Sequence, residues 1–258
     1  FRMHYETKSN LKKRQVRAMS EAGVKWIQPG IESMSTPILK LMKKGVTALQ
    51  NIRLLKWAAQ YGIFVSWNII YGFPGEPESE YDRMAEVMPS LTHFCPPNIG
   101  PLTMVRFSPY HQNPRAYGIK LKPALHYRLL YPFKHANLDD VAYDFDHEYD
   151  DGRVPFSYMT NIKAFNQRWR ESHEKGTSSL TYRRGPGFIV ISDRRATLAA
   201  SDYHLEEREA DIYLLCDAGA TPLAIWKALQ KKGKTSLSVQ EIKAFLDTLA
   251  EARLVYEE

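Results

Sequence analysis

The sequence predicts a parallel α/β barrel, cut open, followed by a small helical domain. Three observations carry this. A helix–glycine–strand unit occurs twice within residues 1–71, the pattern of βα topology. Three closely spaced helical patterns fill residues 206–251. The opening stretch Phe1-Arg2-Met3-His4-Tyr5 reads as a strand with no helix or partner strand before it, so the chain is expected to begin mid-domain.

The elements follow in order. Residues 11–22 form the first helix, with Asn10 as a candidate cap and Gly23 at its C-terminal end. Val24–Gln28 is a short strand. Ser35-Thr36-Pro37 starts a shorter helix, with Pro37 suited to its first position, and Gly45 ends it. Thr47 caps the next helix, which places Ala48, Ile52, Leu55 and Ala59 on one face and stops at Gly62. Ile63–Tyr71 is a strongly apolar strand, expected to be covered on both faces. Gly72–Pro77 is a turn into a helix from about Glu78 to Leu91, with Pro77 at its first position. Leu102–Phe107 reads as a further strand, and Ser108–Pro114 as a loop. These elements give a first domain over residues 1–125, an irregular and helical region over 126–184, and a winged-helix-like domain over 185–258. The last begins with a strand at Phe188–Ser192. Its third helix opens on the capping box Ser238-x-x-Glu241, and Leu254-Val255-Tyr256 is a candidate strand after it.

Composition narrows the function. With 44% apolar and 25% charged residues, 15 tyrosines and 5 tryptophans, the chain can build a sizeable core. It lacks an apolar run long enough to span a membrane, and residues 1–20 are not a signal peptide. The two cysteines, Cys95 and Cys216, make neither a disulfide scaffold nor a C-x2-C metal site, and fit a reducing, cytoplasmic compartment. The net charge of +6 is compatible with a nucleic-acid or acidic-peptide partner without demanding one.

Chemistry in a parallel barrel sits at the C-terminal ends of its strands. Those ends supply Glu6 with Lys8, Gln28–Ser33, Asn68–Glu76 and Arg106–Pro114. A mouth lined by Glu6, Glu32, Asn68 and Arg106 suits a polar, amine- or ribose-bearing ligand. Pro29-Gly30 and Pro74-Gly75 also read as ordinary turns, and Glu32 as a helix cap. No metal site is expected, because His147 lacks a partner at H-x-x-x-H or H-E-x-x-H spacing.

At these strand ends the sequence resembles the radical S-adenosylmethionine enzymes that carry a cobalamin-binding N-terminal domain, and most closely the "maturation radical SAM protein 1" group, which modifies ribosomally made peptides. The resemblance rests on Tyr5-Glu6-x-Lys8-x-Asn10-Leu11, Gln28-Pro29-Gly30-Ile31-Glu32-Ser33, Leu41-Met42-x-Lys44-Gly45, Trp67-Asn68-x-x-Tyr71-Gly72-Phe73-Pro74-Gly75-Glu76 and Arg106–Pro114. It is weaker at Ile191-Ser192-Asp193-x-Arg195. It implies a partial barrel, truncated at its N-terminal side, from an enzyme that uses S-adenosylmethionine, a [4Fe–4S] cluster and cobalamin. It further implies a 5′-deoxyadenosyl radical, and in many such enzymes methyl transfer. Glu6, Lys8, Glu32, Ser33, Asn68, Gly72, Phe73 and Pro74 would then face the cofactor, and Arg106, Tyr110, His111 and Gln112 the substrate peptide.

The sequence departs from that family in having no C-x3-C-x2-C loop. This chain alone is therefore expected to be inactive and to bind no cofactor tightly. The competing reading is a stand-alone peptide- or DNA-binding module. DNA is disfavoured because the third helix carries one lysine and three acids over Gln240–Glu251. The strand at residues 1–6 is expected to leave an open edge prone to non-native dimerisation.

Overall fold

A computed structural model describes residues 3–132, 135, 137–231, 233 and 236–258. Phe1 and Arg2 of the expected opening strand lie outside these. The first half runs β1 (His4–Thr7), α1 (Lys13–Glu21), β2 (Trp26–Pro29), α2 (Thr36–Leu41), α3 (Ala48–Gln60), β3 (Phe64–Val65), β4 (Asn68–Tyr71), α4 (Ser79–Val87) and β5 (Asn98–Pro101). Strands β1, β2 and β3 pair in parallel, as do β4 and β5. The two sheets are joined where Asn68 N–H donates to Ile31 O at 3.2 Å and Ile70 N–H to Glu32 O at 3.0 Å. The result is one curved parallel wall, a partial α/β barrel of the expected class.

Local chemistry explains the elements. Ser35 caps α2 by accepting from Ile38 N–H, and Thr47 with Gln50 forms a capping box on α3. Three expectations shift. α1 begins after Lys12, whose N–H donates to Gln15 Oε1 at 2.9 Å, so Asn10 is not its cap. α2 ends at Leu41 because Lys43, at φ +56°, takes the left-handed position expected of Gly45. Pro77 lies before Glu78, the N-cap of α4.

The apolar run 63–71 is two strands, not one. Trp67 turns inward, 1% exposed, and its indole donates to Cys95 O at 2.8 Å. Nor is the run covered on both faces. Ile63, Val65, Trp67, Ile69 and Tyr71 are buried, while Phe64 is 48% exposed and Ser66, Asn68 and Ile70 are half-buried. The buried side joins Val16 of α1, Leu54, Leu55 and Ala58 of α3 and Ile27 of β2 in one core. The other side carries a ladder of rings, His4 on Trp26 at 5.0 Å and Trp26 on Phe64 at 5.9 Å.

The strand expected at 102–107 is only β6 (Met104–Val105), and it leaves the barrel. Phe107, at φ +69°, ends its extended run. Ser108 then caps a single helical turn, α5 (Pro109–Gln112), where a loop is expected. β7 (Ile119–Pro123), α6 (Leu125–Leu130), α7 (Leu138–Val141) and β8 (Asp144–Tyr149) follow, and β6, β8 and β7 form an antiparallel sheet in that order. α8 (Thr160–Glu174) returns to the barrel, setting Trp169 against Trp67 at 6.3 Å. Burying side chains of this size stabilises by about 3 kcal/mol each.

The C-terminal region opens with the antiparallel sheet β9 (Ser179–Gly185), β10 (Phe188–Arg194) and β11 (Ser201–Glu206), ordered β11-β10-β9. The three helices α9 (Glu207–Leu215), α10 (Pro222–Lys231) and α11 (Val239–Glu251) follow, the winged-helix-like set. Ser238 caps α11 with Glu241. Residues 254–256 form no strand, so the sheet of this region precedes its helices. Asp217 grips the barrel helices, 2.7 Å from Lys13 and 2.9 Å from Lys56. Arg195, 1% exposed, pairs with Asp193 and donates to Ser90 O at 2.9 Å and Arg253 O at 2.8 Å. Among the described residues no helix is long and apolar enough to cross a membrane.

Candidate functional site

The C-terminal ends of β1 and β2 lie side by side, and the residues that follow β2 run along β4, which together make one rim of the parallel wall. Gly30 lies at its centre, where its N–H donates to Thr7 O at 3.0 Å. A Cβ there would lie in ordinary van der Waals contact with Lys44 Nζ, at 3.6 Å. The same Lys44 ammonium is 2.7 Å from Glu32 Oε1, with both side chains about three-quarters buried. Glu6 and Lys8 are exposed at the end of β1, and Asn68 is half-buried at the start of β4. The rim thus offers two carboxylates, an amide and two ammonium groups, a set suited to amine, carboxylate and hydroxyl groups of a ligand.

The Gly72–Glu76 turn forms the next part. Glu76, 3% exposed, accepts from Gly72 N–H at 2.6 Å, Phe73 N–H at 2.9 Å and Tyr81 Oη at 2.6 Å, and from Tyr158 Oη in a short bond. Burial first, and the charge of Glu76 second, hold the Tyr81 hydroxyl far above the ordinary tyrosine range. Gly72, at φ +92°, keeps its carbonyl against Tyr149 Oη, which also meets His147 Nε2 at 2.9 Å. A Cβ on Gly72 would lie 2.9 Å from that hydroxyl. The turn is therefore shaped by a strap, residues 149–158, in which Arg153 also donates to Glu76 O at 3.1 Å.

Not every expected residue reaches the rim. Ser33 is fully buried and turns its hydroxyl to Met84 Sδ at 3.6 Å, so it has no surface for a ligand. Phe73 is 5% exposed and packs 6.3 Å from Tyr110, while Pro74 is half-buried in the turn. Arg106 faces the 139–143 segment, donating through Nε to Ala142 O at 2.6 Å, because β6 has left the barrel. Tyr110 meets Tyr117 edge-on at 4.7 Å, His111 lies 4.8 Å from Phe145, and Gln112 is exposed. Sequence reading passed over Lys44 as a site residue, although it stands in a quoted motif, and also Tyr149 and Tyr158, which contact the turn from about eighty residues away.

A [4Fe–4S] cluster does not fit the cysteines present. Cys95 belongs to the barrel, with its thiol pushed up by burial, whereas Cys216 bonds Ile212 O at 3.4 Å and is pushed up to about 11, again by burial. Among the described residues no group of His, Cys, Asp and Glu could hold a metal ion. On α11, Lys243 is paired with Asp247 at 2.8 Å.

Residues 1–88, the segment that builds β1 to β4 and this rim, match the model of the Radical SAM superfamily. An uncharacterized methyltransferase of Pyrococcus horikoshii is 38% identical over 66 residues, 26% of this chain and 14% of that protein. A protein of Methanocaldococcus jannaschii described as a methylthiotransferase is 36% identical over 66 residues, 26% of this chain and 15% of that protein. The match thus spans about one-seventh of the length of these relatives. Among solved structures, the radical S-adenosylmethionine methyltransferase TsrM of Kitasatospora setae, with cobalamin and a [4Fe–4S] cluster bound, aligns with a TM-score of 0.47 at 13% identity, over 67% of this chain and 43% of that one.

Proposed function

We propose that this chain supplies one wall of the S-adenosylmethionine site of a radical enzyme whose cluster ligands lie on another segment. The observation that carries this is the coincidence of the superfamily match with the rim, where Glu32, just after β2, pairs with Lys44 of the α2–α3 connection. Glu6, Lys8, Glu32, Asn68 and the backbone of Gly72 and Pro74 face the ligand in this reading, and Tyr110, His111 and Gln112 lie toward the substrate. The substrate is a ribosomally made peptide, and the naming of one relative as a methyltransferase supports methyl transfer as the outcome. Cobalamin belongs to the whole enzyme in this reading.

The test is titration of S-adenosylmethionine into the chain, followed by backbone amide resonances. Shifts at Gly30, Glu32, Asn68 and Gly72 are expected. Shifts confined to other surfaces overturn the reading, as does 5′-deoxyadenosine formed by this chain alone with a reductant.

A further inference from the structure

Beside the rim, on the outer side of the wall, a groove of about 290 Å³ runs between β5 and α8. It is lined by Asn98, Ile99, Lys163, Asn166, Gln167 and Arg170. The lining holds two cations and three amides, and no acid. Neither cation has a carboxylate partner among the described residues. Lys163 Nζ donates to Tyr71 Oη at 2.8 Å and lies over the Phe156 ring at 3.9 Å, and Arg170 Nη2 donates to Asn98 Oδ1 at 2.8 Å and, in a short bond, to Pro97 O. Both keep donors to spare. Asn166, 6% exposed, gives its amide N–H to Pro97 O at 3.1 Å, while its Oδ1 is a buried acceptor without a partner.

Among the described residues β5 pairs with β4 alone. Asn98 N–H donates to Trp67 O at 2.8 Å and Leu102 N–H to Tyr71 O at 2.7 Å, so the alternation of a parallel ladder turns the N–H and C=O of Ile99 to the free edge. On that edge the Pro97 carbonyl is taken by Asn166 and Arg170, while the Ile99 N–H and C=O, beside two uncompensated cations, suit an extended chain bearing acids. Lys163 and Arg170 are seven residues apart on α8, about 10 Å along its axis, which three to four residues of an extended strand span.

We propose that this groove docks an extended acidic peptide as an added strand beside β5. The inference rests on the peptide-substrate reading above and gives that substrate a place and a charge. The probe is a fluorescent octapeptide alternating Glu and Val, measured by anisotropy against the full chain. Binding is expected, and replacing Glu by Gln in the peptide, or the double variant K163Q/R170Q, should weaken it about tenfold or more. N-methylation of the central peptide amides should abolish it. Should the double variant not fold, Lys163→Gln alone retains the Arg170 anchor and carries the test. Equal binding by the Gln peptide, equal binding by the folded variant, or equal displacement by oligothymidylate of the same charge overturns the inference. A chain that shifts with S-adenosylmethionine but ignores the peptide sinks this inference alone; the opposite result sinks only the earlier reading.

Discussion

Removing the Glu76 carboxylate should be among the costliest single changes in the barrel. In Glu76→Ala two backbone N–H groups and the buried Tyr81 hydroxyl lose their acceptor, while half-buried Tyr158 can turn to water. An orphaned buried donor costs about 1–3 kcal/mol, so three of them, with some relaxation, come to about 4 kcal/mol. Glu76→Gln keeps one acceptor oxygen and should lose about half as much, roughly 2 kcal/mol. Urea unfolding reads both as a fall in midpoint at unchanged slope. The backbone amides of Gly72 and Phe73 should also exchange faster in the Ala variant. A Glu76→Ala protein within about 1 kcal/mol of the parent would refute the view that this carboxylate shapes the turn.

Other outcomes can be checked separately. Burial, and then the Arg195 guanidinium, push His93 down to about 3, so it stays neutral when folded. Between pH of about 6.5 and 3 only the unfolded chain takes up that proton, so stability should drop as pH falls through this window, and His93→Gln should flatten the dependence of Tm on pH. Parallel curves for the two proteins count against it. Arg195→Met strands Asp193, 2% exposed, and should cost about 3–5 kcal/mol in urea unfolding, a loss under 1 being inconsistent with a buried unpaired charge. Among the described residues β1 pairs with β2 alone, so sedimentation should show concentration-dependent self-association that Tyr5→Lys removes. A monomer at every concentration would rule out that edge as the contact.

What could be read in the sequence was what short-range chemistry decides. Ser35, Thr47 and Ser238 bond to amides three residues away, so their caps were visible without tertiary knowledge. β5 was passed over because Asn98-Ile99-Gly100-Pro101 has glycine and proline where a strand pattern wants branched residues. β9 and β11 escaped for a related reason, since most of their residues are exposed and polar. The exit of β6 from the barrel depends on pairing with β8, about forty residues on, which no local pattern records. The rim was half legible. Strand ends located Glu6, Glu32 and Asn68, but only packing shows that Ser33 points into the core and that Lys44 reaches back to Glu32.

Arg195 has a mechanical consequence. One guanidinium reaches the end of β10, the Met88–Leu91 turn of the barrel and Arg253, two residues past the end of α11. This buried contact joins the two halves, alongside the more exposed grip of Asp217 on Lys13 and Lys56. Loosening either half breaks the same set of bonds, so calorimetry of the intact chain should record one melting transition instead of two.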